Sequence, residues 1–284
     1  MSILIKSAKI IDASSKFNGK TKDIFIKQGI IQEIDDKIVK KSAKEINLDN
    51  LHISQGWLDS SVCFGEPGLE ERETIENGSL TACLSGFTDI ILNSNTLPVI
   101  DSKADVIYVK SKNNNKALKI HPLGALTLKS EGSEMAELHE MFESGAVGFY
   151  DYKMSVKNPN LLKTALQYVQ HFDGLIMTFP FEKSICQNGQ MNEGEISTLY
   201  GLEGIPSLSE EITLERDLKI LEYTGGKLFI PTISTSKSVE LIKNAKRKGL
   251  QIITSVSINN IFFNEKKLIN FDTRFKVLPP LRSE

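Results

Sequence analysis

A chain of 284 residues, 40% hydrophobic and 25% charged, can bury one barrel-sized core or two smaller ones and is expected to be globular. Its 34 basic residues against 36 acidic ones leave a formal net charge of −2, which excludes the broad positive field that gathers nucleic acid or an anionic membrane. Three scattered cysteines, Cys63, Cys83 and Cys186, with no C-x-x-C, exclude a disulfide framework and a cysteine-rich zinc site.

The N-terminal segment lacks the basic and apolar regions of a secretory leader, and no apolar run approaches the ~20 residues that span a bilayer, so a cytoplasmic, reducing setting is expected. In chain order, Ile3–Ile11, Asp23–Ile26 and Ile30–Ile34 read as short strands, with turns at Gly19, Gly29 and Asp35-Asp36. They make residues 1–55 a small β unit. From residue 56 to 284 apolar strands alternate with polar helical stretches. The strand candidates are Trp57–Cys63, Thr88–Asn93, Leu118–Leu126, Ala146–Tyr150, Leu175–Phe179, Lys227–Ile233 and Gln251–Val256. Such alternation predicts a parallel sheet covered by helices. One helix is marked at both ends, by capping-box spacing from Ser207 to Glu210 and by Gly225-Gly226. The basic cluster Lys243–Lys248 precedes Gly249, where cations meet the negative end of a helix dipole, and reads as a solvated helix end. Lys112–Lys116, enclosing three asparagines, reads as a polar loop.

Histidine is scarce. His52, His121, His139 and His171 are mutually distant, and none has a partner at ligand spacing. His121, within the third barrel strand, reads as a satisfied core or pocket residue, while His139 and His171 sit on polar helical stretches. Cys63, at a strand's C-terminal end, would be a nucleophile only with a base beside it; the alternative is a buried inert thiol.

Several stretches carry a resemblance. Gly56 to Gly78 includes Asp59-Ser60-Ser61-Val62-Cys63-Phe64-Gly65-Glu66-Pro67-Gly68 followed by Glu73-Thr74-Ile75, and Gly86-Phe87-Thr88 leads to Asn95-Thr96-Leu97-Pro98-Val99. Pro122 to Thr127, Gly145 to Phe149, Asn192 to Glu195 and Leu278 to Arg282 follow in order. Together these resemble the dihydroorotases of the amidohydrolase superfamily, in the form found in multifunctional complexes, over nearly the whole chain. The resemblance implies an α/β fold: an incomplete TIM-type (β/α) barrel over residues 56–284, lacking its last strand, preceded by part of a small β-sandwich. Chemistry in such a barrel sits at the C-terminal ends of the strands.

The family's metal-activated water requires zinc held by imidazoles and carboxylates. The first-strand His-x-His of the family matches Ser61 and Cys63, and its paired aspartates match Asp151 and Tyr152. Strand-end histidines match Phe179 and Thr232, the substrate arginine matches Gly65, and the asparagine before Pro-Pro-Leu-Arg matches Leu278. No metal is therefore expected. Asp151 is the one catalytic candidate, and Asn95, Asp151, Thr232 and Asn259, with Thr127 and Ser234, are candidates to line a pocket. Such a pocket either binds a small polar ligand or is filled by its own hydrogen bonds.

The resemblance implies a dihydroorotase-like homologue of pyrimidine biosynthesis, catalytically silent and retained as a structural partner. Aspartate carbamoyltransferase is the partner it implies, with self-association or homo-oligomerisation through open sheet edges. The alternative is a hydrolase of a cyclic amide, dihydroorotate or a related ureide, using altered or metal-free chemistry. A third reading is a truncated copy of a longer protein, since the chain stops at Glu284, before the eighth strand that carries the family's general-base aspartate.

Overall fold

Leu4, Ala8 and Ile10 occupy even positions of the first strand and are all buried, the period-two signature of a sheet with one covered face. The computed structural model describes residues 2–114, 117–186 and 188–284 and divides into two units, Met1–Trp57 and Leu58–Glu284. In the first unit β1 (Ser2–Ile11), β2 (Thr21–Lys27), β3 (Ile30–Asp35) and β4 (Lys44–Ile46) form a sheet in the order β3-β2-β1-β4. A fifth strand, β5 (His52–Ser54), also pairs with β1. Sequence reading places His52 on a strand leading into the barrel, which is β5, but misses β4 because a three-residue strand carries too little alternation to be seen.

The second unit contains a run of parallel strands. These are β6 (Trp57–Val62), β7 (Phe87–Leu92), β8 (Lys119–Pro122), β9 (Ile176–Met177), β10 (Met191–Asn192), β11 (Gly204–Ile205), β12 (Lys227–Ile230) and β13 (Gln251–Thr254). Two three-stranded sheets, β6-β7-β8 and β13-β12-β9, are joined through parallel bridges that Phe149 makes to Gly124 and to Ile176. Seven successive segments thus follow one another in chain order, while β10 and β11 pair separately. The expected strands at Leu118–Leu126 and Ala146–Tyr150 shorten to β8 and to the single Phe149 bridge.

Strand alternation sorts the apolar side chains into two layers. Ile90, Leu92, Phe149, Ile176, Leu228 and Ile230 join a large core, whereas their neighbours Ile91, Tyr150, Met177 and Phe229 face a second cluster on the opposite side. The large core is closed by helices. In α4 (Pro159–Val169), capped by Asn158, the buried residues Leu161, Leu162, Ala165, Leu166 and Val169 recur along one stripe. The remaining helices are α1 (Ile75–Leu84), α2 (Lys103–Lys112), α3 (Leu138–Glu143), α5 (Lys183–Cys186), α6 (Glu195–Leu199), α7 (Ser207–Thr224), α8 (Ser236–Arg247) and α9 (Ile258–Phe262). None of the described helices is long and apolar enough to cross a membrane.

The helix read from Ser207 is present as α7 and ends at Gly225, but the capping box is not formed: its N-cap is Pro206. The Glu210 carboxylate instead accepts hydrogen bonds from the Ser234 and Thr235 amides and the Ser234 hydroxyl. Tertiary donors outcompete the local cap here. The basic cluster does end a helix, with Lys246 and Arg247 in the last turn of α8. Of the Lys112–Lys116 stretch, Lys112 closes α2, and Asn115 and Lys116 lie outside the described residues.

Candidate functional site

A cavity of about 460 Å³ lies against β6, whose Leu58–Ser61 segment forms one wall. The opposite wall comes from the chain after β12 (Pro231, Thr232) and after β13 (Ser255–Asn260), with Val277 and Leu278 beyond. Tyr152 and Lys153, just after the Phe149 bridge, complete it. Local bonds hold these walls. The Asn93 amide donates to Ser61 Oγ and to the Val62 carbonyl, each at 3.1 Å, and reaches Cys63 Sγ at 3.4 Å. Asp59 accepts the Ser61 amide at 3.0 Å.

The candidate residues divide. Thr232 and Asn259 line the cavity. Asp151 does not: it is buried, and its Oδ1 accepts the amides of Leu126 (2.9 Å) and Thr127 (3.0 Å) while Oδ2 accepts the Thr127 hydroxyl (2.6 Å). It fastens the chain that follows β8. Burial raises its carboxyl above the ordinary range, and the Thr127 bonds oppose that rise. Asn95 also lies off the cavity, half-buried after β7, and Ser234 is taken up by Glu210 and Arg282.

The positions that match the family's metal ligands gather in part. Ser61, Tyr152 and Thr232 line the cavity, and Cys63 is half-buried beside Asn93 and Tyr152 rather than fully buried. Phe179 is fully buried in the second apolar cluster, its ring centroid 5.7 Å from that of Phe181. Two neutral alcohols, a phenol, a thiol and a hydrocarbon ring are not a donor set for zinc, which takes imidazole, thiolate and carboxylate. Burial pushes the Tyr152 phenol further from ionisation, and its bond to Cys63 adds to that. Among the described residues no three His, Cys, Asp or Glu side chains come together as ligands. The residues present do not fit the metal.

Gly65, at the position matching the substrate arginine, has φ +152°, and a Cβ there would sit 2.3 Å from the Leu69 carbonyl oxygen. No side chain of any kind fits this backbone. Two of the histidines are engaged elsewhere: His121 pairs with Asp89 at 2.8 Å, and His139 meets Phe172 edge-on.

Sequence reasoning missed two features. Lys153 adopts φ +55°, the left-handed region, with its amide donating to the Tyr150 hydroxyl at 3.1 Å. Burial lowers its ammonium below the usual lysine range. Its place directly after Asp151-Tyr152 was the available signal. The second is Arg282, whose guanidinium donates to Ser234 Oγ (3.0 Å), Asn192 Oδ1 (2.9 Å) and the Ile205 carbonyl (2.9 Å), with Glu210 at 3.8 Å.

The parallel α/β scaffold is shared with solved structures. The L-hydantoinase (dihydropyrimidinase) of Arthrobacter aurescens superposes with a TM-score of 0.83 at 19% identity, covering 99% of this chain and 64% of that one. A D-hydantoinase gives 0.77 at 21% identity, covering 100% and 64%. The model of the dihydro-orotase-like family matches residues 52–238. Dihydroorotases from Pelotomaculum thermopropionicum and Caldanaerobacter subterraneus subsp. tengcongensis are 35% and 36% identical over 285 aligned residues, all of this chain in each case. The chain belongs to the dihydro-orotase-like family. It spans 66% and 65% of the lengths of those two relatives.

Proposed function

We propose that this protein is a catalytically silent dihydroorotase-like member of pyrimidine biosynthesis, cytoplasmic, and retained as a structural partner. The observation that carries this reading is the chemistry at the ligand positions, above all Phe179, which packs into an apolar cluster where the family's chemistry needs a metal-binding imidazole. Gly65 supports it, because the backbone there has no room for the arginine that would hold a substrate carboxylate. The alternative, metal-free hydrolysis of a cyclic amide, relied on Asp151 for acid–base work, and that carboxylate is spent on Leu126 and Thr127. In this reading the barrel is an incomplete one and the N-terminal sheet is one part of a sandwich. Self-association or cover by a partner belongs to this reading, with aspartate carbamoyltransferase as the first partner to try.

Elemental analysis of the purified protein should give substoichiometric zinc, and neither dihydroorotate nor carbamoyl-aspartate should turn over above background, with or without added zinc. A tightly held stoichiometric metal, or metal-dependent turnover, would overturn catalytic silence. For the partner role, gel filtration with the aspartate carbamoyltransferase of the same cell should give co-elution at micromolar concentrations. Separate elution of the two would remove that partner.

A further inference from the structure

Helix α7 is apolar on two sides. Leu214, Leu218 and Leu221 are buried in the large core, as an amphipathic helix requires, yet Leu208, Ile212 and Tyr223 stand exposed on the opposite side, Tyr223 at 78%. Exposed apolar surface drawn out along a helix marks an interaction site. Where this stripe meets α4 there is a groove of about 350 Å³, whose apolar lining is Pro159, Ile220 and the Tyr223 ring.

The charges around the groove indicate the chemistry of a partner. The lining holds three cations, Lys163 of α4 with Arg216 and Lys219 of α7, and no carboxylate. The groove between α7 and α8 is different, since there Lys219, Arg247 and Lys248 are answered by Glu215 and Glu222. Lys163 is half-buried and forms no ion pair with any described group. Arg216 gives Nε and Nη2 to the buried Asp217 and keeps Nη1 free of described partners. Lys219 pairs with Glu215 at 3.1 Å, but both side chains are more than half exposed, so water leaves that bond weak and exchangeable. A second copy laid over the groove by a two-fold axis would set these cations against their own kind. A segment that carries carboxylates beside an apolar side chain meets both demands of the groove at once.

We propose that the groove between α4 and α7 is a docking surface for an acidic segment of a partner protein, an apolar side chain of which seats on Ile220 and Tyr223 while its carboxylates meet Lys163, Arg216 and Lys219. The groove shares no residue with the cavity at the strand ends. The surface therefore stands whether or not the protein is catalytically silent, and whichever protein carries the segment.

The test uses an unlabelled peptide in which single leucines alternate with pairs of glutamates, and its counterpart with glutamine at every glutamate, each titrated into the full chain by isothermal calorimetry. The glutamate peptide should bind with an affinity that falls as salt is raised, and the glutamine peptide should bind about tenfold more weakly or not at all. Lys163→Glu and Tyr223→Ala should each weaken the glutamate peptide by about tenfold, the first by reversing a charge and the second by removing the exposed anchor. Lys243→Glu, an exposed change on α8 outside the groove, should leave its affinity within about twofold. Equal binding of the two peptides, no binding of either, unchanged binding by Lys163→Glu, or an equal loss from Lys243→Glu would each overturn the proposal. So would a single-stranded oligonucleotide that displaces the glutamate peptide at equal concentration, because the cations would then serve a phosphate backbone.

Discussion

Arg282→Ala should lower the free energy of unfolding by about 3 kcal/mol, measured by denaturant titration followed by circular dichroism. The guanidinium is 12% exposed and Glu210 3% exposed, so both charges have lost nearly all their water. Burial pulls the arginine below its usual range, and Glu210 opposes that pull. Removing the cation leaves Glu210 held only by Ser234 and Thr235, frees Asn192 Oδ1 of its donor, and leaves the Ile205 carbonyl with the Glu193 amide alone. Asn192 in turn donates to Glu265 at 2.7 Å, so the loss runs through the segments around β10, β11 and residue 265 together. Lysine is no substitute, because it lacks the planar fork that reaches Ser234, Asn192 and Ile205 at once. Glu210→Gln combined with Arg282→Met should cost less than the sum of the single changes, since neither charge is then left buried alone. A parent-like unfolding curve for Arg282→Ala would show that this network contributes nothing.

Asp151→Ala should destabilise the chain by about 2–4 kcal/mol, three buried groups losing their acceptor at once. The orphans are the Leu126 and Thr127 amides and the Thr127 hydroxyl, which also accepts the Gly132 amide at 2.8 Å. Asp151→Asn should be milder, because its amide oxygen still accepts both backbone N–H groups while only the Thr127 hydroxyl must find a new acceptor. This order of effects separates a structural carboxylate from an acid–base one. A catalytic aspartate would give an asparagine variant that folds like the parent and is altered only in activity. Equal stability of the parent and both variants would refute the anchoring role.

The raised carboxyl of Asp151 also has a pH consequence. Where a carboxyl is held above its unfolded value, the native chain binds that proton more tightly than the unfolded one. Stability linked to that proton is therefore largest in acid and is lost as pH rises through the folded value. Asp151→Asn should flatten this part of the stability profile.

The periodicity of the chain carried the broad architecture. Apolar strands separated by polar helical stretches dictate parallel strands under helices, because both faces of such a sheet must be covered, and the glycine and proline signals marked ends such as that of α7 at Gly225. Motif order carried the family, and the identities at Ser61, Cys63, Phe179 and Thr232 by themselves announced the lost donor set. Where a side chain points was another matter. Asp151 stands at the family's position and in the right strand end, yet two amides and a hydroxyl from the chain after β8 claim it, and those groups lie 24 and 25 residues away. Glu210 has the spacing of a helix cap but meets better donors at Ser234 and Thr235. The cavity shows the same division, since Ser61, Lys153, Thr232 and Asn259 come from four separate strand ends and meet only once the strands are laid side by side. Periodicity reports which face of an element is buried, because that depends on neighbours three or four residues away. The partner of a buried polar group depends on which distant segment packs there, and only the tertiary structure decides that.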